Sequence, residues 1–170
     1  MIKMHVNRAE MIYDSALSVI KNRRWVYKEE SKDLMINFIV MGKKAPIPFT
    51  FSVDSSKRIA ELYAPLTFTV GEGKKRTFSV AVGQTNYEIY DGLFVIDMTD
   101  GMIYYKMTHR YKPVDPKGGD KYHEDVIGEE TFLYMVENSC KMLGRFNDKF
   151  EAINDGKMSL SEFFNYLATL

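Results

Sequence analysis

Between Ala9 and Ile20 the apolar side chains recur every three or four residues, and from Arg24 onward they recur every two. That change of period constrains the fold more than any other feature. A 3.6-residue stripe buries one face as a helix, whereas a two-residue alternation buries one face as a strand. Ala9, Ile12, Tyr13, Ala16, Leu17 and Ile20 make the stripe of a helix over 7–22, with Asn7 as its cap and Glu10 completing a capping-box-like start. Residues 24–30 and 33–41 then predict a hairpin across the polar turn Glu30-Ser31-Lys32-Asp33. The next run sets Ile47, Phe49, Phe51 and Val53 against Pro48, Thr50, Ser52 and Asp54, one face dry and one wet. Pro46 and Pro48 have no N–H to donate, which predicts that this strand begins at an edge or a bulge.

A fourth strand over 58–66 follows the turn Asp54-Ser55-Ser56-Lys57. Beyond Gly71-Glu72-Gly73, Phe78, Ala81, Val82, Thr85 and Ile89 return to helical spacing. Gly83 inside that stripe costs about 1 kcal/mol relative to alanine, which predicts a close contact with the sheet. Strands over 93–98 and 102–111 flank Asp100-Gly101, read as a type I′ turn with φ > 0 at both central positions. Residues 112–127 read as a loop. Phe132, Met135, Val136, Ser139, Cys140, Leu143, Phe146 and Phe150 mark a helix of five or six turns that stops at Asn154-Asp155-Gly156. Ser159-Leu160-Ser161-Glu162 is a capping box for a final helix bearing Phe163, Phe164 and Leu167. The order α-β-β-β-β-α-β-β-α-α predicts an α+β fold, helices packed on an antiparallel sheet, in one domain over residues 1–170. A chain of this size buries roughly 70% of its unfolded surface.

Charge excludes some partners. Basic and acidic residues balance at 23 each, so no net field draws the chain to nucleic acid or an anionic membrane. Lys74-Lys75-Arg76 reads as a solvated helix start. Asn7, Arg8, Glu10 and Asp14 interrupt any secretory or spanning segment near the N-terminus, and one cysteine makes no internal disulfide. These features predict a cytoplasmic protein.

Candidate chemistry fails on spacing. Asp97-Met98-Thr99-Asp100-Gly101 lacks the oxygen ligands of a calcium loop, and Gly71-Glu72-Gly73-Lys74-Lys75 lacks the Lys-Ser/Thr pair of a phosphate loop. His5, His109 and His123 stand apart, and the loop group Asp120, His123, Glu124 and Asp125 reads as solvated rather than as a cation site. Cys140 lies on an apolar stripe and reads as a buried, inert thiol. The expectation is no enzyme, no metal and no cofactor.

The ordered set Leu62-Tyr63-Ala64-Pro65-Leu66, Phe68-Thr69-Val70, Asn86-Tyr87, Asp91-Gly92, Asp100-Gly101, Phe146-Asn147-Asp148-Lys149-Phe150 and Gly156-Lys157-Met158-Ser159-Leu160 resembles the bacterial YbjN-domain family. The family was named for sensory-transduction regulation, and its fold is similar to that of the type III secretion chaperones. The resemblance implies a regulatory or chaperone-like module that binds another polypeptide.

The residues add a clue of their own. In the strand over 33–41, Met35, Ile39 and Met41 oppose Leu34, Ile36, Phe38 and Val40, so both faces are apolar. The strand over 93–98 is two-sided as well, with Leu93 and Val95 opposite Phe94, Ile96 and Met98. Two explanations stand: helices or chain ends cover both faces of the sheet, or the second face docks a protein partner or a second copy, with Met35, Ile39 and Met41 in the contact. The alternative function is a small-molecule- or nucleotide-sensing domain. For that role Asn86, Tyr87, Tyr104 and Tyr105 are the polar candidates, against structural duties for the same side chains.

Overall fold

A computed structural model describes residues 7–112 and 127–170. The elements follow the expected order: α1 (Arg8–Asn22), β1 (Val26–Glu30), β2 (Met35–Met41), β3 (Pro46–Asp54), β4 (Ile59–Thr69), α2 (Lys75–Glu88), β5 (Leu93–Ile96), β6 (Met102–Arg110), α3 (Glu129–Asn154) and α4 (Leu160–Leu167). The strands form one antiparallel sheet ordered β1-β2-β3-β4-β6-β5. The fold class is therefore α+β.

The helices gather on one face. Their contacts place α1 over β2 and β3, α3 across β4 and β6, α2 beside β5, and α4 against α2 and α3. The strand side chains beneath them are buried: Ile36, Phe38, Phe49, Phe51, Leu62, Phe94 and Tyr105. Aromatic rings knit the layers together. Phe132 of α3 meets Phe51 edge-on at 5.0 Å and Phe38 at 5.8 Å, while Phe94 meets Phe146 at 5.5 Å and Phe150 at 5.3 Å. Each such side chain contributes roughly 1.5–3 kcal/mol through burial, which is why the aromatic stripe of α3 fixes where that helix lies.

The caps form as the sequence suggests, with one difference. Ser159 and Glu162 exchange hydrogen bonds in a full capping box. At α1 the Asn7 side chain accepts from the Ala9 N–H at 3.1 Å, but Glu10 accepts from the Asn7 amide Nδ2 instead. Gly156 ends α3 at φ +74°, and burial of Ile153 carries that helix to 26 residues, longer than expected.

Several expectations need correction. β3 is interior to the sheet, but it begins as the sequence suggests, at a local edge. Its ladder with β4 covers only Thr50 to Asp54, so Pro46 and Pro48 need no donor on that side. β4 runs on to Thr69, with an irregular register between Pro65 and Thr69. There the Thr67 N–H donates to Asn147 Oδ1 of α3 at 3.1 Å instead of to a strand. The β5–β6 turn is not type I′, because Gly101 (φ +78°) has a positive φ and Asp100 does not. The loop closes instead through Gly101 N–H to Asp97 O at 2.8 Å, with Asp97 Oδ1 accepting from Thr99 N–H. A Cβ on Gly101 would lie 2.1 Å from the Val70 carbonyl oxygen, so only glycine fits. Gly83 shows the reverse: a Cβ there meets nothing within 4 Å, and the expected contact with the sheet is absent. Lys75 is buried rather than solvated, pairing with Glu72 at 2.5 Å and donating to the Met98 and Thr99 carbonyls at 2.7 and 3.2 Å. It ties the start of α2 to the β5–β6 turn.

Candidate functional site

Among the described residues, no helix lies on the second face of the sheet. The described helices therefore leave that face open. Strand register shows what is left uncovered. Val26 pairs with Ile39 and Ile39 with Pro48; across β4 and β6, Pro65 pairs with Tyr104 and Tyr104 with Val95. These six residues form one transverse apolar row that crosses all six strands. Val26 is 73% exposed and Ile39 41%, and Pro48 and Val95 are exposed as well. Met41, 74% exposed, flanks the row, and half-buried Met35 lies two pairs away from it on the same face.

The row has a break at its centre. The β3–β4 ladder stops at Thr50↔Tyr63, and by the same register the next positions on this face are Pro48 and Pro65. Neither proline has an N–H, so pairing ends where two donors are missing. A concavity of about 440 Å³ opens over this gap, walled by Ile39, Pro48, Tyr63, Pro65 and Tyr104. Its polar edge is already satisfied: Thr50 Oγ1 donates to Asn37 Oδ1 at 2.8 Å.

Beside the concavity lies a charged network. Lys106 Nζ is 2.5 Å from Glu61 Oε1 and 5.1 Å above the Tyr63 ring. Tyr63 OH donates to Glu61 Oε2 at 2.7 Å, and Thr108 Oγ1 to Glu61 Oε1 at 3.3 Å. Burial pushes the Glu61 carboxyl up, but the bonds from Lys106, Tyr63 and Thr108 and the Lys106 charge outweigh it and hold the pKa below its ordinary value. Burial likewise opposes the Lys106 charge, and the bonds to Glu61 and Tyr63 raise its pKa in net. A carboxylate held ionised and an ammonium held charged are poor proton shuttles near neutrality. The network orders this side of the face.

The four polar ligand candidates do not converge. Asn86 latches α2 to β5, its Nδ2 donating to Phe94 O at 2.9 Å and its Oδ1 accepting from Phe94 N–H at 2.8 Å. Tyr87 is on the outer side of α2, exposed. Tyr104 faces the open side, whereas Tyr105 is fully buried beneath the helices, its hydroxyl donating to Asp91 O and accepting from Asn138 Nδ2 at 3.0 Å. Burial raises the Tyr105 phenol to about 12, with the Asn138 bond opposing. Adjacent strand residues point to opposite faces, so Tyr104 and Tyr105 could not have shared a pocket. Cys140 is half-buried rather than buried, and burial pushes its thiol pKa up.

His109 is exposed on β6, while His5 and the loop group Asp120, His123, Glu124 and Asp125 fall outside the described residues. Among the described residues no three metal-ligating side chains cluster, and no helix is long and apolar enough to cross a membrane. Sequence reasoning named Met35, Ile39 and Met41 on this face but missed Val26, Pro48 and Pro65. The two prolines carried a signal, because each removes a ladder donor from a strand that otherwise reads as interior.

No family model and no curated protein matches the chain. Among solved structures, a chain in the crystal structure of the ExsC–ExsE complex is similar, with a TM-score of 0.53 over 82% of this chain and 93% of that one. Sequence identity is 10%, so the likeness shows the fold: an α+β, type III secretion chaperone-like arrangement of sheet and helices.

Proposed function

We propose that this chain is a non-catalytic, chaperone-like interaction module that holds a polypeptide partner on the open face of its sheet. The observation that carries this reading is the apolar row from Val26 to Val95 left uncovered by the described helices. Covering a large apolar side chain contributes roughly 1.5–3 kcal/mol, so the row is a source of affinity that solvent leaves unused. Met35, Ile39 and Met41 are the contact residues we assign, with Pro48, Pro65 and Tyr104 framing the concavity at its centre. The ExsC–ExsE complex joins two proteins, so a chain of similar fold is found in a protein–protein assembly. The ordered set of short motifs supports placing the whole chain, 1–170, in the YbjN-type group as a single unit acting in the cytoplasm.

The test is comparative co-purification from the source cells with tagged wild type and Ile39→Glu, followed by reconstitution with the purified partner. The expected result is a partner retained by wild type and released by Ile39→Glu, with both proteins showing the same circular dichroism. Equal retention by the folded variant would remove the open face from the interface. A thermal-shift screen against metabolites tests the sensing alternative, which the 440 Å³ concavity favours by its size. A hit abolished by Tyr104→Ala would put a small molecule in place of the polypeptide.

A further inference from the structure

The apolar row from Val26 to Val95 ends in opposite charges. Val26 pairs with Ile39, so the start of β1 and the end of β2 lie side by side. The chain enters β1 from Arg23 and Arg24 and leaves β2 toward Lys43 and Lys44, all four exposed. Asp148 holds Lys44, but among the described residues no acid pairs with Arg23, Arg24 or Lys43. A base beside the C-terminus of a helix suits its dipole, which accounts for Arg23 after α1. It does not account for Lys43, which lies between β2 and β3.

At the other end the sign reverses. Val95 leads into the β5–β6 turn, where Asp97 and Asp100 are exposed. Each accepts from a backbone N–H, of Thr99 and of Met102, both at 2.8 Å, which leaves their charges standing. Lys75 donates to this turn but is paired with Glu72. Burial raises the Tyr104 phenol, and the charges of Asp100 and Asp97 raise it further, so both acids act at a wall of the concavity.

Direction restricts the shape of what can lie there. The row crosses the strands, whose N–H and C=O groups point within the sheet toward neighbouring strands. A segment along the row finds no backbone partners and must satisfy its own, as a helix does. The six strands, spaced about 4.8 Å apart, span about 24 Å. That is the length of a helix of about 16 residues.

We propose that the partner segment is an amphipathic helix with one acidic and one basic end, the acidic end over Arg23 and Lys43 and the basic end over Asp97 and Asp100. The proposal rests on the function proposed above and adds the chemistry of the partner. It is tested on the full chain by fluorescence anisotropy with three labelled 16-residue helical peptides that share one apolar face. The first has glutamates in its first turn and lysines in its last, the second lysines at both ends, the third glutamates at both. Wild type should bind the mixed-end peptide about tenfold more tightly than either of the others, and salt should shrink the difference. Arg23→Glu combined with Lys43→Glu makes both ends of the row acidic, so the preference should pass to the lysine-ended peptide. The thermal midpoint of that variant should not fall, because neither side chain has an acid to lose. Ile39→Glu should weaken all three peptides alike. Equal binding of the three by wild type, or a preference that the double variant leaves unchanged, overturns the proposal while the apolar row stands as the interface. Binding that Ile39→Glu does not weaken overturns the function proposed above as well. A single-stranded oligonucleotide bound more tightly than the mixed-end peptide, and released by the double variant, would assign the basic end to phosphate and overturn the proposal.

Discussion

Phe38 and Ile39 are neighbours in β2, yet Phe38 is 2% exposed against Phe132 and Ile39 is 41% exposed. The same strands thus build two different surfaces. On the helix side, large side chains alternate with strict period and each meets a ring or aliphatic from α1, α2 or α3. On the open side, an apolar row crosses the sheet with none of the described helices above it, and the charged groups beside it bind each other. Covered positions serve stability, whereas open apolar positions cost nothing to the fold when changed and remain available for binding.

The comparison breaks first at Phe51, which is fully buried beneath Phe132 at 5.0 Å. Phe51→Ala should cost about 3–5 kcal/mol in chemical denaturation. A loss below 1 kcal/mol, on the same scale, would mean that α3 does not cover β3. Gly101→Val comes next. A branched side chain at φ +78°, with its Cβ 2.1 Å from the Val70 carbonyl oxygen, should cost about 3 kcal/mol. An unchanged denaturation midpoint would show that the β5–β6 turn does not pack against Val70.

The Glu61–Lys106 pair sharpens the open side of the comparison. Glu61 has a folded pKa below its ordinary 4.5, so it stabilises the protein above that pH and the contribution is lost as pH falls through the lower folded value. Lys106 has a folded pKa above 10.5, so its contribution holds below that pH and is lost as pH rises past it. Glu61→Gln should cost about 1 kcal/mol at neutral pH and flatten the acid limb of the stability curve. An acid limb identical to wild type would mean that the pair is not formed in solution. The smallest effect belongs to Ile39→Glu, within about 0.5 kcal/mol of wild type, as for surface positions generally. Unfolding of that variant would place Ile39 in a core and collapse the distinction between the faces.

Much of this was legible in the residues. The stripe of α1, the alternation of β3, the capping box of α4 and the stop at Gly156 all depend on nearest neighbours along the chain, and period alone reveals them. The two-sided character of β2 was also visible, because Met35, Ile39 and Met41 interrupt a pattern that a solvated face would fill with polar groups. The turn type at Asp100-Gly101 was not visible, because the backbone of Val70, some thirty residues earlier, decides it. Lys75 was misread for the same reason: its partners are carbonyls on a turn that local sequence does not bring near.

The sequence by itself determined the elements, their order, the α+β class and which side chains share a face, since those follow from the geometry of helix and strand. Tertiary structure alone decided which face the helices would cover, where the β3–β4 ladder would stop and which exposed residues would line up across six strands. The register of pairing and the placing of helices depend on contacts between distant segments, and those form only when the sheet assembles. An uncovered Ile39 and a buried Phe38 are one residue apart in the chain, and the sheet assigns them to opposite sides.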